Sequence, residues 1–296
     1  MKILVAYSGG KDSQACLIWS VKKYGAKNIE AVFCDTGWEN PITYKHIINT
    51  CKNLDVKLIT VKSKKYDGMV DMAKKKGRFA STMARFCTIE LKTAPMIDYV
   101  LAQKEHILVI QGIRANESVS RSKMKSQCTF FKYYFEPYGH DKKGKTKFFT
   151  YRKKEIKEFV RNYANDILRP VFNWNSQDVI DYIIANGQQP NELYYQGFKR
   201  VGCFPCFMCG HQEVKELLKR FPERFSEIEK IEEEVKSSFF KIDYIPERFR
   251  TGFDAKSGKV FTKARDIKKY LNNKNLTIDM FEEEAMSCSS FYHLCE

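Results

Sequence analysis

No apolar run in this 296-residue chain approaches the ~18 residues of a membrane-spanning helix, so no membrane anchor is expected. Met1–Ala6 carries one lysine, and the apolar run there is too short for the h-region of a secretory leader. No leader is expected, and the chain is placed in the cytoplasm, where thiols stay reduced. Internal repeats and low-complexity tracts are absent, which argues against a solenoid array. Two common phosphate-binding signatures are also missing. The Walker pattern needs four residues between its first Gly and Gly-Lys, and the dinucleotide fingerprint needs G-x-G-x-x-G. Acidic residues are outnumbered, with 36 Asp+Glu against 51 Lys+Arg, leaving a net charge of +15. That balance favours anionic partners such as nucleotide, sulfate or nucleic acid.

What is present supports a folded enzyme-sized chain. Apolar residues make up 43%, enough for a real core. The length suits one large or two modest domains. Ten cysteines in a reducing compartment are read as buried, metal-bound or reactive rather than as disulfides.

Along the chain, short apolar runs alternate with helical spacing. Strands are expected at Lys2–Tyr7, Ile29–Cys34, Val56–Val61 and Ile107–Gln111, and helices at Asp12–Tyr24, Pro41–Asn53, Asp67–Lys76 and Thr88–Gln103. This alternation predicts a doubly wound parallel α/β sheet. Phe130–Tyr151 is aromatic and basic and reads as a hairpin excursion turning at "YGHDKKGK". Ser176–Asn186 reads as a helix capped by Ser176, and Glu213–Lys236 as one charged amphipathic helix. Two domains are expected: 1–200, carrying the excursion at 128–154, and 201–296, carrying a cysteine cluster and a helical end.

Ser8-Gly9-Gly10-Lys11-Asp12-Ser13 lies between the first strand and the first helix. Glycines let backbone amides approach an anion, and the helix N-terminus adds partial positive charge. Lys11 adds a full charge, and Ser8 and Ser13 add hydroxyls. Asp12 would repel a phosphate, so Mg²⁺ is expected between them. The plain alternative is a glycine turn capped by Asp12.

In this context "SGGKDS" resembles the PP-loop of the ATP pyrophosphatase superfamily, whose members cleave ATP between the α and β phosphates. Other segments resemble the phosphoadenylylsulfate (PAPS) reductase-like family in family order. "CDTGWENP" places Asp35, Thr36 and Gly37 where that family contacts nucleotide. "GIRANESVSR" is similar to its segment in which arginines hold anionic substrate, and it supplies Gly112, Arg114, Glu117 and Arg121. "RFCTIELKTAP", "RPVFNWNSQDVIDYI" and "NELYYQGFKRVGCFPC" continue the match to about Cys209. The resemblance implies an adenine nucleotide alpha hydrolase-like, Rossmann-like fold. It also implies that Lys11 and Asp12 act on the pyrophosphate end of Mg-ATP, with Arg114 and Arg121 clamping substrate oxyanions.

Cys203, Cys206 and Cys209 stand two residues apart each time, a spacing that lets sulfurs converge on one metal. Glu213 stands where a further local thiol would come, so Cys87 is the remote candidate. By resemblance to the iron–sulfur reductases, Cys87, Cys203, Cys206 and Cys209 imply a 4Fe–4S cluster. Structural Zn²⁺ and a redox dithiol are the alternatives. Cys16, Cys34, Cys51 and Cys128 fall in core-like patterns.

Two features depart from simple sulfonucleotide reduction. Those reductases carry a C-terminal Cys-Gly, whereas this chain ends "MSCSSFYHLCE", with Cys288 and Cys295 but no such Gly. They also tend to have a degenerate glycine loop, whereas this one is intact. The reading favoured is an enzyme that binds Mg-ATP, splits the α–β bond and adenylates a substrate in sulfur metabolism or in sulfur modification of nucleic acid. A reductase of a preformed sulfonucleotide and a non-enzymatic nucleotide-gated module are the alternatives. The partners expected are a nucleotide substrate, tRNA or DNA or a sulfur-donor protein, and a second copy of the chain in a homodimer.

Overall fold

The computed structural model describes residues 1–81, 84–140, 143–254 and 258–274. The chain divides into two compact units. The first comprises Met1–Asp35, Pro41–Lys62 and Lys92–Asn191; the second comprises Thr36–Asn40, Ser63–Leu91 and the chain from Glu192 onward. The division expected near residue 200 falls at 191/192, and two earlier segments join the second unit.

The first unit is built on β1 (Lys2–Ala6), β2 (Ile29–Cys34), β3 (Lys57–Val61), β4 (Ile107–Gln111), β5 (Gln127–Thr129) and the strand Asn165–Leu168. Their order is β3-β2-β1-β4, then Asn165–Leu168, then β5. All neighbours are parallel except β5, which runs antiparallel at the edge. The period of two explains why both faces are covered. Ile3, Val5, Ala31, Phe33 and Ile110 point into one core with α1 (Lys11–Tyr24) and Ser176–Ala185. Leu4, Val32, Ile107 and Val109 point into the other, with Ala94–Gln103 and Lys153–Asn162. Each fully buried Leu or Val adds roughly 1.5–3 kcal/mol by leaving water. The doubly wound parallel sheet is therefore as expected.

Differences from the expected elements have local causes. Asn165–Leu168 and β5 did not stand out because "NDIL" and "QCT" lack an apolar run, and Asn165 uses its side-chain carbonyl to accept the Phe131 N–H at 3.1 Å. The helix at Ser176–Ala185 is capped by Asn175, not Ser176: Asn175 accepts from the Asp178 N–H at 2.9 Å, while Asp178 accepts from the Asn175 N–H at 2.8 Å. The expected single helix Glu213–Lys236 is two, His211–Arg220 and Pro222–Val235, because Pro222 has no N–H to continue the first. The helix expected from Asp67 starts at Met69, after Gly68 at φ 157°. Ala94–Gln103 is preceded by a wider π-turn at Ile89–Thr93.

The second unit is helical, with a short ribbon pairing Gly252–Asp254 and Lys259–Phe261. Its interior is aromatic: Trp38, Phe79, Phe204, Phe225, Phe239 and Phe240 are all buried. Cys288 and Cys295 lie outside the described residues. Among the described residues, no helix is long and apolar enough to cross a membrane.

Candidate functional site: a glycine loop and a cysteine loop

The glycine loop leaves the carboxyl end of β1, where ligands of doubly wound sheets bind. Gly9 has φ +78°, and a Cβ there would lie 2.9 Å from Thr43 Cγ2 and 3.0 Å from Ile47 Cγ1. Gly10 caps α1 without a side-chain hydrogen bond, so the positive end of a 14-residue helix faces the loop. Ser13 fixes the turn: its hydroxyl accepts the Ser8 N–H at 3.2 Å and donates to the Gly10 carbonyl at 2.9 Å. Lys11 is 1% exposed.

Arg114 Nε donates to Asp12 Oδ1 at 2.6 Å, a buried ion pair between residues 102 apart in sequence. Sequence reasoning placed both in the site but did not pair them. Glu117 Oε2 accepts the Arg114 N–H at 3.0 Å and also pairs with the half-exposed Arg121 guanidinium. Gly112 has a packing reason of its own. A Cβ there would lie 2.5 Å from the Ser13 nitrogen and 2.6 Å from the Asp12 carbonyl carbon, so β4 abuts the first turn of α1 directly.

Three supports were not singled out from the sequence. Asn191 is fully buried and donates to the Gly9 carbonyl at 3.4 Å and to Thr43 Oγ1 at 3.2 Å. Gln14 donates to the Gln189 carbonyl at 2.8 Å. Arg169 donates to Gln111 Oε1 at 3.1 Å and to the Lys125 carbonyl at 2.5 Å, tying the end of β4 to the approach of β5. A single Asn, Gln or Arg outside the run Ser8–Ser13 carries no spacing signal of its own. Burial pushes His46 down to about 4, so it stays neutral beside Gln14.

Asp35 lies at the end of β2 in the first unit, accepting from Tyr44 Oη at 2.6 Å and pairing with Lys62 at 3.0 Å. Thr36 and Gly37 belong to the second unit. There Glu39 accepts from Thr36 Oγ1 at 2.7 Å and from the Thr36 and Trp38 N–H groups at 3.2 Å each.

The cysteine loop lies wholly in the second unit. Glu39 bridges Cys203 in antiparallel fashion, Phe204 N–H donates to the Trp38 carbonyl at 2.8 Å, and Trp38 Nε1 donates to the Pro205 carbonyl at 3.1 Å. Thr36 Oγ1 is 3.7 Å from Cys203 Sγ. Glu213 clasps both flanks of the loop: it accepts from Lys199 N–H at 3.1 Å, and from Arg200 and Gly210 N–H at 3.2 Å each. Burial raises the Cys87 thiol, and the charges of Cys203 and then Cys206 raise it further, so these three share one neighbourhood. Cys209 is buried, which raises its thiol well above the ordinary range, and Glu213 and Cys206 add to this. As placed, no group of three or more Cys, His, Asp or Glu among the described residues converges to hold a metal ion. Of the remaining thiols, Cys16 and Cys51 are buried in the core, and burial pushes Cys51 up to about 12. Cys34 and Cys128 are only half-buried.

The fold and the glycine loop define a class, an α/β protein with a glycine-rich strand–loop–helix turn at the carboxyl end of β1. Residues 2–209 match the phosphoadenosine phosphosulfate reductase domain, and the chain belongs to that family. It is 30% identical over 190 residues to an uncharacterized 37.8 kDa protein of Escherichia phage 186, covering 60% of this chain and 48% of the relative. An uncharacterized protein of Methanocaldococcus jannaschii is 25% identical over 92% of this chain and 56% of its own length. The adenosine 5'-phosphosulfate reductase of Neisseria meningitidis serogroup A is 49% identical over 49 residues, 17% of this chain and 20% of that enzyme. The chain spans about half the length of the first two of these relatives. The phosphoadenylyl-sulfate reductase of Candida auris, solved with phosphate, aligns over 69% of this chain and 82% of its own at 18% identity, with a TM-score of 0.46.

Proposed function

We propose that the protein binds Mg-ATP at the glycine loop and transfers the adenylyl group to an acceptor oxygen. The observation that carries this reading is the complete cradle: Gly9 in a left-handed turn, the uncapped helix end, and buried Lys11 beside them. The acceptor oxygen attacks the α-phosphorus, a new P–O bond forms, and the bridging bond to the β-phosphate breaks. Pyrophosphate leaves with the bonding pair, stabilised by Lys11 and the helix end. Ser8, Gly10 and Ser13 shape the cradle for the leaving group.

We assign Asp12 to positioning rather than to Mg²⁺, since its Oδ1 accepts from Arg114 Nε. The guanidinium already offsets the charge that the cation was expected to offset. Mg²⁺ in this proposal arrives on the phosphates of ATP. Arg114 and Asp12 act as positioning residues that lock the first turn of α1 to the end of β4. Arg121, half-exposed and oriented by Glu117, is the guanidinium assigned to a substrate oxyanion.

For the cysteine loop we assign Cys87, Cys203, Cys206 and Cys209 as the ligands of a 4Fe–4S cluster, with Zn²⁺ as the alternative. An all-thiol donor set in one neighbourhood supports the assignment, and closure on a metal requires the thiols to draw together. When bound, such a cluster supplies electron transfer. Anaerobic purification followed by a visible spectrum tests it; a colourless, zinc-loaded protein selects the alternative.

Lys11→Ala is expected to lower pyrophosphate release from ATP at least 100-fold, an order of magnitude set by the loss of one preorganised charge. A thermal melt checks that the variant stays folded, and undiminished release overturns the mechanism. The second reading, reduction of a preformed sulfonucleotide, is favoured by the matched segment of adenosine 5'-phosphosulfate reductase. It predicts thiol-dependent sulfite release without ATP.

A further inference from the structure

Half of the chain's net charge sits in one short segment. Lys123–Lys154 holds ten Lys or Arg against two acidic residues, a net +8 of the total +15. This segment follows directly from Gly112–Arg121, passes through β5 at the sheet edge, and forms a ribbon in which Gly139–His140 pairs antiparallel with Thr146–Lys147. Its described residues lie in the first unit; β5 is the edge strand of the sheet that carries the glycine loop, and the ribbon is a two-stranded sheet of its own.

The ribbon has a rigid base. Phe131 is buried against Phe130, Tyr134 and Phe159, and Phe149 packs on Tyr133, Tyr134 and Tyr138. Tyr134 Oη donates to the Tyr151 carbonyl at 2.8 Å. Arg152 is committed to Asp98 and Glu155 and belongs to this base.

An ordinary amphipathic hairpin turns its aromatics inward and its charges outward. Here Phe135, Tyr138 and Tyr151 remain 50%, 48% and 41% exposed, on the same segment as the exposed Lys143, Lys145 and Lys147, with the Tyr151 hydroxyl donating to Asp98 at 3.0 Å. Apolar rings left in water are unfavourable unless a partner covers them. A partner that satisfies both features carries repeated negative charge and flat rings. That is the chemistry of an unpaired polynucleotide strand, with phosphates on lysines and bases on aromatic faces.

We propose that the ribbon within Lys123–Lys154 is a docking element for single-stranded nucleic acid. It supplies the acceptor for the adenylyl transfer proposed above and rests on that reading for its purpose. The binding itself is measured without nucleotide, so failure of one does not imply failure of the other.

The test is fluorescence anisotropy on the full chain with a labelled 20-nucleotide single strand of DNA, the same strand of RNA, and the DNA duplex, over a range of KCl. At least one single strand is expected to bind more tightly than the duplex, with log affinity falling linearly against log salt. The triple variant Lys143→Gln, Lys145→Gln, Lys147→Gln is expected to weaken binding roughly 10–100-fold and to reduce the salt slope by about 2, at about 0.7 per phosphate on single strands. Phe135→Ala with Tyr138→Ala is expected to weaken binding about 10-fold or more while leaving the salt slope unchanged, because stacking releases no counterions. Phe135 and the three lysines are exposed, so the lysine variant is expected to melt with the parent protein. Tyr138 packs on Phe149. Phe135→Ala alone, which is also expected to melt with the parent and to weaken binding, therefore separates lost stacking from a loosened ribbon. The proposal is overturned if no strand binds, if the duplex binds as tightly as the single strands, or if the lysine variant binds as the parent does. Retention on phosphatidylserine vesicles with no retention by strands also overturns it.

Discussion

The two loops are held by opposite means. The glycine loop is held by close backbone approach and one buried ion pair. Gly9 and Gly112 leave no room for a Cβ, and Arg114 and Asp12 join β4 to α1. The cysteine loop is held by carboxylates that accept from backbone: Glu213 from three N–H groups and Glu39 from two. Aromatic packing of Phe198, Phe204 and Phe221 completes it. The first arrangement packs backbone against its neighbours with no space for a side chain, which suits preorganised amides. The second anchors the flanks of the loop and leaves Cys203 and Cys206 half-exposed between them.

The glycine loop depends most heavily on Arg114. Arg114→Ala leaves the Asp12 carboxylate buried without its guanidinium, a loss of about 3–5 kcal/mol for one partner of a buried pair. For a unit of this size the melting temperature is expected to fall by roughly 6–20 °C. Pairing the change with Asp12→Asn removes the orphaned charge, so the double variant is expected to melt above Arg114→Ala alone. A double-mutant cycle by thermal denaturation measures this coupling. Purely additive losses would show that the pair is not what joins β4 to α1.

In the cysteine loop the matching cut is Glu213→Ala, which strands three N–H donors at once. Hydrogen bonds to a charged acceptor are worth about 1.5–3 kcal/mol each when buried. Lys199 and Arg200 are exposed, and water replaces part of that, so about 2–4 kcal/mol is expected. The loop should loosen before the unit unfolds. Reaction with a thiol-modifying disulfide reagent is therefore expected to speed up at Cys203 and Cys206, with pyrophosphate release unchanged. Unchanged thiol rates would remove Glu213 from its role as the clasp.

This difference also governs what could be read from sequence. The glycine loop was legible because backbone approach demands Gly at fixed positions, and those positions fall in one contiguous run, Ser8–Ser13. The apolar alternation of β1, β2 and β4 was legible for the same kind of reason, since burial on both faces selects Ile, Leu and Val in short runs. The Asp12–Arg114 pair was not, because an ion pair between residues 102 apart leaves no spacing pattern. Glu213 was noticed only as the place where a thiol was missing. In a charged helical stretch, a buried carboxylate looks the same as the exposed Glu223. Asn165–Leu168 escaped because a four-residue strand with Asn and Asp in it carries no period, and its pairing is decided by β4 alongside.

A third carboxylate of the second unit, Glu232, makes its stability depend on pH. Glu232 accepts from the Phe239 N–H at 2.6 Å and the Ala264 N–H at 2.7 Å, joining Pro222–Val235 to Ala264–Lys274. Burial pushes it up to about 7, partly offset by those two N–H groups. A carboxyl raised on folding binds its proton more tightly in the native state, so its contribution is fully present below the unfolded value near 4.5 and is lost as pH rises toward 7. The second unit is therefore expected to lose on the order of 2 kcal/mol between pH 5 and pH 8 through this group. Glu232→Gln cannot ionise and keeps one acceptor, so it should melt below the parent at pH 5 and close the gap by pH 8. Glu30 in the first unit titrates the other way. Burial would raise it, but Tyr99, Lys57 and Lys2 outweigh burial and hold it at about 2, so its contribution is present above the unfolded value of 4.5 and is lost as pH falls toward 2. A melting difference between Glu232→Gln and the parent that stays constant from pH 5 to 8 would show that Glu232 is charged throughout. The clasp chemistry of Glu213 would then extend to it as well.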